Sequence, residues 1–200
     1  MTVPTQRRRL RRVCVYCGSS NHIDPRYRAA AQAMGAALVE RGIALVFGGG
    51  SVGLMGEIAD TVIRLGGQVY GVIPRKLQEL EVGHDGCTEL FVVDGMHARK
   101  LMMSQLADAF IAMPGGFGTM EELFEMTTWT QLEYQEKPVG VLNVNGYYDP
   151  LLQWISHANS EGFVRDIHKE LILSRDQPDA LLDALELAEL PGLSGWIDDV

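Results

Sequence analysis

The chain has 200 residues, 46% of them hydrophobic, and a formal net charge of -9, which suits one domain with a sizeable core. That acidity argues against a general nucleic-acid binder, and no apolar run approaches the ~20 residues of a membrane span. The basic stretch Arg7-Arg8-Arg9-Leu10-Arg11-Arg12 is expected to belong to a flexible, solvated arm over residues 1–12, ahead of a domain at 13–190 and a tail at 191–200.

The start of the chain is too short and polar-ended for a signal peptide, and three cysteines cannot all pair internally. Both features lead us to expect a cytoplasmic protein. Cys14-Val15-Tyr16-Cys17 spells C-x-x-C, but inside a predicted strand at 13–17 its two thiols point to opposite faces, so neither a redox pair nor a metal clip follows.

After that strand, Gly18-Ser19-Ser20-Asn21 supplies small polar residues at a strand end. A helix is expected at 25–40, with Ala30, Ala33, Met34, Ala37 and Leu38 at helical spacing and Gly42 as the stop. The run Ala44-Leu45-Val46-Phe47 reads as a strand covered on both faces. Gly48, Gly50 and Gly53 then spell G-x-G-x-x-G before a helix at 54–65 and a strand at 68–73, a dinucleotide-binding layout. The acidic residue that would hold a ribose hydroxyl is missing, because that strand ends Val72-Ile73-Pro74-Arg75-Lys76. Arg75 and Lys76 suit either an NADP phosphate or a solvated surface.

Residues 77–88 form a long polar connection, as expected of a functional loop. A strand at 89–93 and a helix at 96–107 follow. On that helix Arg99 shares a face with Met103 and Leu106, which is costly unless the guanidinium meets an anion, whether a ligand or an internal carboxylate. The next strand, at 109–113, runs into Pro114-Gly115-Gly116-Phe117-Gly118-Thr119-Met120-Glu121-Glu122 and a helix expected from Thr119 to Leu132. A glycine loop opening a helix offers unpaired N–H groups and partial positive charge, which fits a phosphate. Glu122 reads equally as a catalytic carboxylate or as the far end of a capping box begun by Thr119. Strands at 139–144 and 171–173 and helices at 150–159 and 178–190 complete an alternating pattern.

That pattern implies an α/β fold, a doubly wound parallel sheet with helices on both faces. Ligands should then bind beyond the carboxyl ends of the strands, where the Ser19, Gly48, Met96 and Pro114 loops converge. No G-x-x-x-x-G-K-[ST] or G-x-S-x-G motif is present, so P-loop hydrolysis and nucleophile-elbow chemistry lack their parts. What remains is a monophosphate cradle, a buried arginine and a carboxylate pair. These parts suit either cleavage of a nucleotide's glycosidic bond or a noncatalytic nucleotide sensor.

The Pro114–Glu122 motif, with Met96-His97-Ala98-Arg99-Lys100 upstream and the loop from Gly48 to Gly56, resembles the LONELY GUY (LOG) family of cytokinin riboside 5′-monophosphate phosphoribohydrolases. The likeness runs from Val13 to Leu187 in the same element order. It implies a Rossmann-like fold, a homodimer with the active site near the interface, no metal or organic cofactor, and release of free base plus ribose 5-phosphate. It implies catalytic roles for Arg99 and Glu122, and substrate contacts at Glu81, Arg99, Lys100, Gly116, Phe117, Gly118, Thr119, Met120, Glu121, Glu122 and Thr128. Family members often carry a lysine decarboxylase label. That chemistry needs a Schiff-base lysine, and of four lysines only Lys100 falls near the expected site.

Overall fold

A computed structural model describes residues 7–80 and 83–192. Seven strands form one parallel sheet: β1 (Arg12–Tyr16), β2 (Ala44–Phe47), β3 (Val69–Pro74), β4 (Glu89–Val93), β5 (Ala109–Ala112), β6 (Val139–Leu142) and β7 (Ile172–Arg175). Their order across the sheet is β4-β3-β2-β1-β5-β6-β7. The chain therefore winds outward from β1 to β4, returns to the other side of β1 with β5, and winds outward again. The carboxyl ends of β1 and β5, paired in register from Val13 beside Ala109 to Tyr16 beside Ala112, mark the switch point.

The four residues of β2, of β5 and of β6 are all buried, as their unalternating apolar runs require. On one face Val13 and Val15 pack with α1 (Pro25–Glu40), α2 (Gly53–Arg64) and α7 (Pro178–Glu186); on the other, Cys14 and Tyr16 pack with α4 (Met96–Leu106), α5 (Phe117–Gln131) and α6 (Asp149–Ser160). Cys17 lies in the first cluster and Cys14 in the second, so the two thiols of the C-x-x-C are separated by the sheet. Each fully buried Leu, Ile or Met contributes about 1.5–3 kcal/mol toward the cost of ordering the chain.

Several local expectations are corrected. The connection after β3 begins with a short helix, α3 (Arg75–Leu80), none of whose residues is buried. Helix α5 starts at Phe117 rather than Thr119: Gly116 is its N-cap, and no side chain caps it. Thr119 is thus the third helical residue, and of the two readings open for Glu122 the capping box is not formed. Glu121 and Glu122 lie beyond the first turn.

The basic segment is no free arm from Arg7 onward. Arg8 N–H donates to the Glu186 carbonyl at 2.7 Å, Leu10 is buried, Arg7 pairs with Glu186 at 3.3 Å, and Arg12 opens β1. The closing helix stops at Glu186, short of the expected residue 190. Among the described residues, no helix is long and apolar enough to cross a membrane.

Candidate active site

Three loops meet where β1 and β5 end. Gly18 N–H donates to the Pro114 carbonyl at 3.1 Å, joining the β1 and β5 loops. Leu54 N–H donates to the Gly18 carbonyl at 2.9 Å, and Gly53 N–H to Asn21 Oδ1 at 3.0 Å, which draws the start of α2 to the same point. Gly53 has φ +61°, and a Cβ there would run into the Ser19 backbone, so glycine is required on both counts.

Helix α5 points its amino terminus into the space these loops enclose. Its first internal hydrogen bond is Met120 N–H to Gly116 carbonyl at 3.1 Å, which leaves the N–H groups of Phe117, Gly118 and Thr119 without helical acceptors. A Cβ added at Gly116 or Gly118 would meet nothing within 4 Å, so a ligand can approach the backbone there. The start of a helix contributes only about 0.3–2 kcal/mol to holding an anion, so a cation is needed as well.

Arg99 supplies that cation. It is 8% exposed, its Nε donates to the Val72 carbonyl at 3.1 Å, and one terminal nitrogen donates to the Gly48 carbonyl at 2.8 Å. These acceptors are main-chain carbonyls rather than the internal carboxylate allowed for in the sequence reading. The guanidinium is oriented without being neutralised. Glu122, also 8% exposed, lines the same cleft. Burial pushes its carboxyl up from 4.5 to about 7; Arg99 pulls it down, Glu121 raises it, Lys100 lowers it and Glu125 raises it. A carboxyl poised near 7 can hold or release a proton under physiological conditions.

The cleft, about 240 Å³, is lined by Arg99, Gly116, Phe117, Gly118, Thr119, Glu121 and Glu122 among the expected residues. Met55, Leu77 and Met96 form an apolar part of its wall; Met55 and Met96 belong to loops already expected at the site, whereas Leu77, in the connection after β3, carried no expected contact. Leu77 lies near the start of α3, directly after β3, and the rule that ligands sit at the carboxyl ends of strands reaches it as it reaches the other two.

Other expected contacts lie elsewhere. Met120 packs into the core, and Lys100 is bound to Glu121 and Glu125. Thr128 lines a separate hollow with Phe124 and Trp154. Glu81 lies outside the described residues.

Gly48 tests the orientation of Arg99. A Cβ there would overlap the Arg99 guanidinium and come within 3.2 Å of the Met55 sulfur. Gly48→Ala is expected to displace a flexible side chain rather than the backbone, lowering kcat/KM by about 10- to 100-fold with far-UV circular dichroism unchanged.

Comparison with known proteins identifies relatives of this chain. A family model described as "Possible lysine decarboxylase" matches residues 55–185. Cytokinin riboside 5′-monophosphate phosphoribohydrolase LOG of Oryza sativa subsp. japonica is 50% identical over 181 residues, 90% of this chain and 75% of its own length. A cytokinin riboside 5′-monophosphate phosphoribohydrolase of Arabidopsis thaliana is 48% identical over 178 residues, covering 89% and 78%. A molybdenum cofactor binding protein of Rippkaea orientalis superposes with a TM-score of 0.65 at 22% identity, covering 88% of this chain and 94% of that one, a likeness of fold alone.

The decarboxylase description does not fit the residues present. Burial lowers the Lys100 ammonium, but its hydrogen bonds to Glu121 and Glu125 outweigh this and raise its pKa. An amine held protonated between two carboxylates is a poor Schiff-base nucleophile.

Proposed function

This chain belongs to the LONELY GUY family of cytokinin riboside 5′-monophosphate phosphoribohydrolases, and on that footing we propose that it hydrolyses N6-modified adenosine 5′-monophosphates to free base and ribose 5-phosphate. The observation that carries the assignment to this cleft is that one hollow is lined by a buried carboxyl near 7, a guanidinium with no paired carboxylate and three open helix N–H groups.

In this reading the Phe117, Gly118 and Thr119 N–H groups and Arg99 hold the phosphate, and ionised Glu122 faces the ribose. As the bond from C1′ to the purine nitrogen breaks, its electron pair leaves with the base and the sugar becomes cationic. Glu122 stabilises that charge and takes a proton from the water that bonds to C1′. The proton passes to the departing base or to solvent, so one water is consumed for each base released. Phosphate binding at a distance from C1′ aligns the sugar for attack.

A homodimer belongs to the same reading. Thr128 lies six residues beyond Glu122 on α5, roughly 9 Å along the helix axis, and in a hollow apart from the cleft of its own subunit. A second copy is what could bring it to substrate. Phe117 at 97% exposure and Trp154 at 53% give such a contact apolar surface. Free Cys14, Cys17 and Cys87 accord with a reducing, cytoplasmic setting.

The test is incubation with N6-isopentenyladenosine 5′-monophosphate followed by chromatography. Free base is expected, whereas intact nucleotide recovered from a protein that binds it would make the chain a sensor. The pH dependence provides a further check. Because Glu122 must be ionised, kcat should rise with pH through about 7, and a bound phosphate dianion moves that limb up rather than down. A kcat that is flat from pH 5 to pH 8 would remove Glu122 from the role.

A further inference from the structure

Helix α5 carries carboxylates at 121, 122 and 125, all within two turns of the N–H groups assigned to phosphate. Glu121 and Glu125, four residues apart, share one face and repel each other. Left bare, these like charges beside Glu122 would oppose an incoming phosphate dianion. The resemblance makes Lys100 a substrate contact, but the structure puts it elsewhere. Its side chain is 6% exposed, and its Nζ donates to Glu121 Oε1 and, at 3.0 Å, to Glu125 Oε1. Lys100 does not line the cleft, whereas Glu121 does. The second oxygen of Glu125 is buried without a partner among the described residues, so that carboxylate depends on Lys100. To reach a phosphate the ammonium would have to abandon both.

We propose that Lys100 is a positioning residue: locked between Glu121 and Glu125, it neutralises the flanking carboxylates so that the phosphate-binding turn keeps Glu122 as its one working acid. This rests on the hydrolase reading above. The groups that face Glu122 are Arg99 and Lys100 of α4, Glu121 and Glu125 of α5, and Cys14, Tyr16 and Cys17 at β1. Of these only Lys100 bridges the two neighbouring carboxylates.

The test compares Lys100→Met with Lys100→Met/Glu125→Gln. The single variant should lose about 100-fold in kcat and move the acidic limb to higher pH, with KM changed by less than about threefold. The double variant, which no longer buries an unpaired carboxylate, should fold, recover about tenfold in kcat and move the limb back. A direct phosphate contact would instead raise KM, and deleting Glu125 would recover nothing; that result overturns the proposal.

Ribose 5-phosphate affinity, read by calorimetry, separates this from failure of the hydrolase reading. In the double variant it should stay within about threefold of the parent even if no turnover is seen in either, while a loss of about 30-fold or more marks a direct contact.

Discussion

Replacing Glu122 by glutamine is expected to cut turnover by about 10³- to 10⁴-fold while leaving nucleotide binding measurable. The amide keeps the shape of the side chain but can neither take a proton from water nor set a negative charge beside a cationic sugar. Its effect on stability has the opposite sign. Burial raises the Glu122 carboxyl from 4.5 to about 7, so between these values the folded state binds more protons than the unfolded one. Stability therefore falls as pH rises through that window, and at pH 8 the ionised carboxylate carries its full cost. The variant should melt higher at pH 8 by the equivalent of about 1–3 kcal/mol, roughly 3–10 °C, with no gain at pH 4. Thermal melts at the two pH values check this. A residue serving only as a helix cap would show the reverse, unchanged turnover and lowered stability.

Arg99→Ala is expected to be almost as damaging to turnover, by about 10³-fold, and also to destabilise. Removing the guanidinium leaves the Val72 and Gly48 carbonyls without the donors that reach them at 3.1 and 2.8 Å. Each orphaned buried acceptor costs about 1–3 kcal/mol, less where water enters the space left behind. Of the charges around Glu122, Arg99 lowers its carboxyl most, so its loss should move the acidic limb of kcat to higher pH. Arg99→Lys keeps the charge but cannot offer the two separated donors, and should fall between the parent and the alanine variant in both melting temperature and rate. Steady-state kinetics across pH, with melting curves on the same samples, reads all three effects. If the alanine variant kept the parental limb, Arg99 would be a structural tie between strands and no more.

The fold was largely legible because its strands are continuous apolar runs. Ala44-Leu45-Val46-Phe47 is buried at every position, and a run of that kind has few alternatives to a covered parallel strand. Helix α1 was bounded by Pro25 at its start and by Gly42, with φ +66°, past its end. Helix α3 is not legible in the sequence, because Arg75-Lys76-Leu77-Gln78-Glu79-Leu80 has no buried residue and so carries no apolar stripe. The start of α5 lies two residues before the point the pattern indicates, because Gly116 offers no capping side chain and the exposed Phe117 has no inward periodicity to announce it.

Within the site, the convergence of the glycine loops with Arg99 and Glu122 followed from the rule for strand ends. The setting of Lys100 did not. Its partners lie 21 and 25 residues away on another helix, and no local pattern pairs them. Thr128 was drawn toward substrate by resemblance alone, and the single subunit leaves it in a different hollow.

Cleavage between sugar and base is the step on which the proposed function depends, and the most direct measurement is the product balance from N6-isopentenyladenosine 5′-monophosphate. Base and ribose 5-phosphate should appear in equal amounts, with no inorganic phosphate, and both should vanish in Glu122→Gln. Release of nucleoside with inorganic phosphate, or equal base release by the glutamine variant, would contradict it.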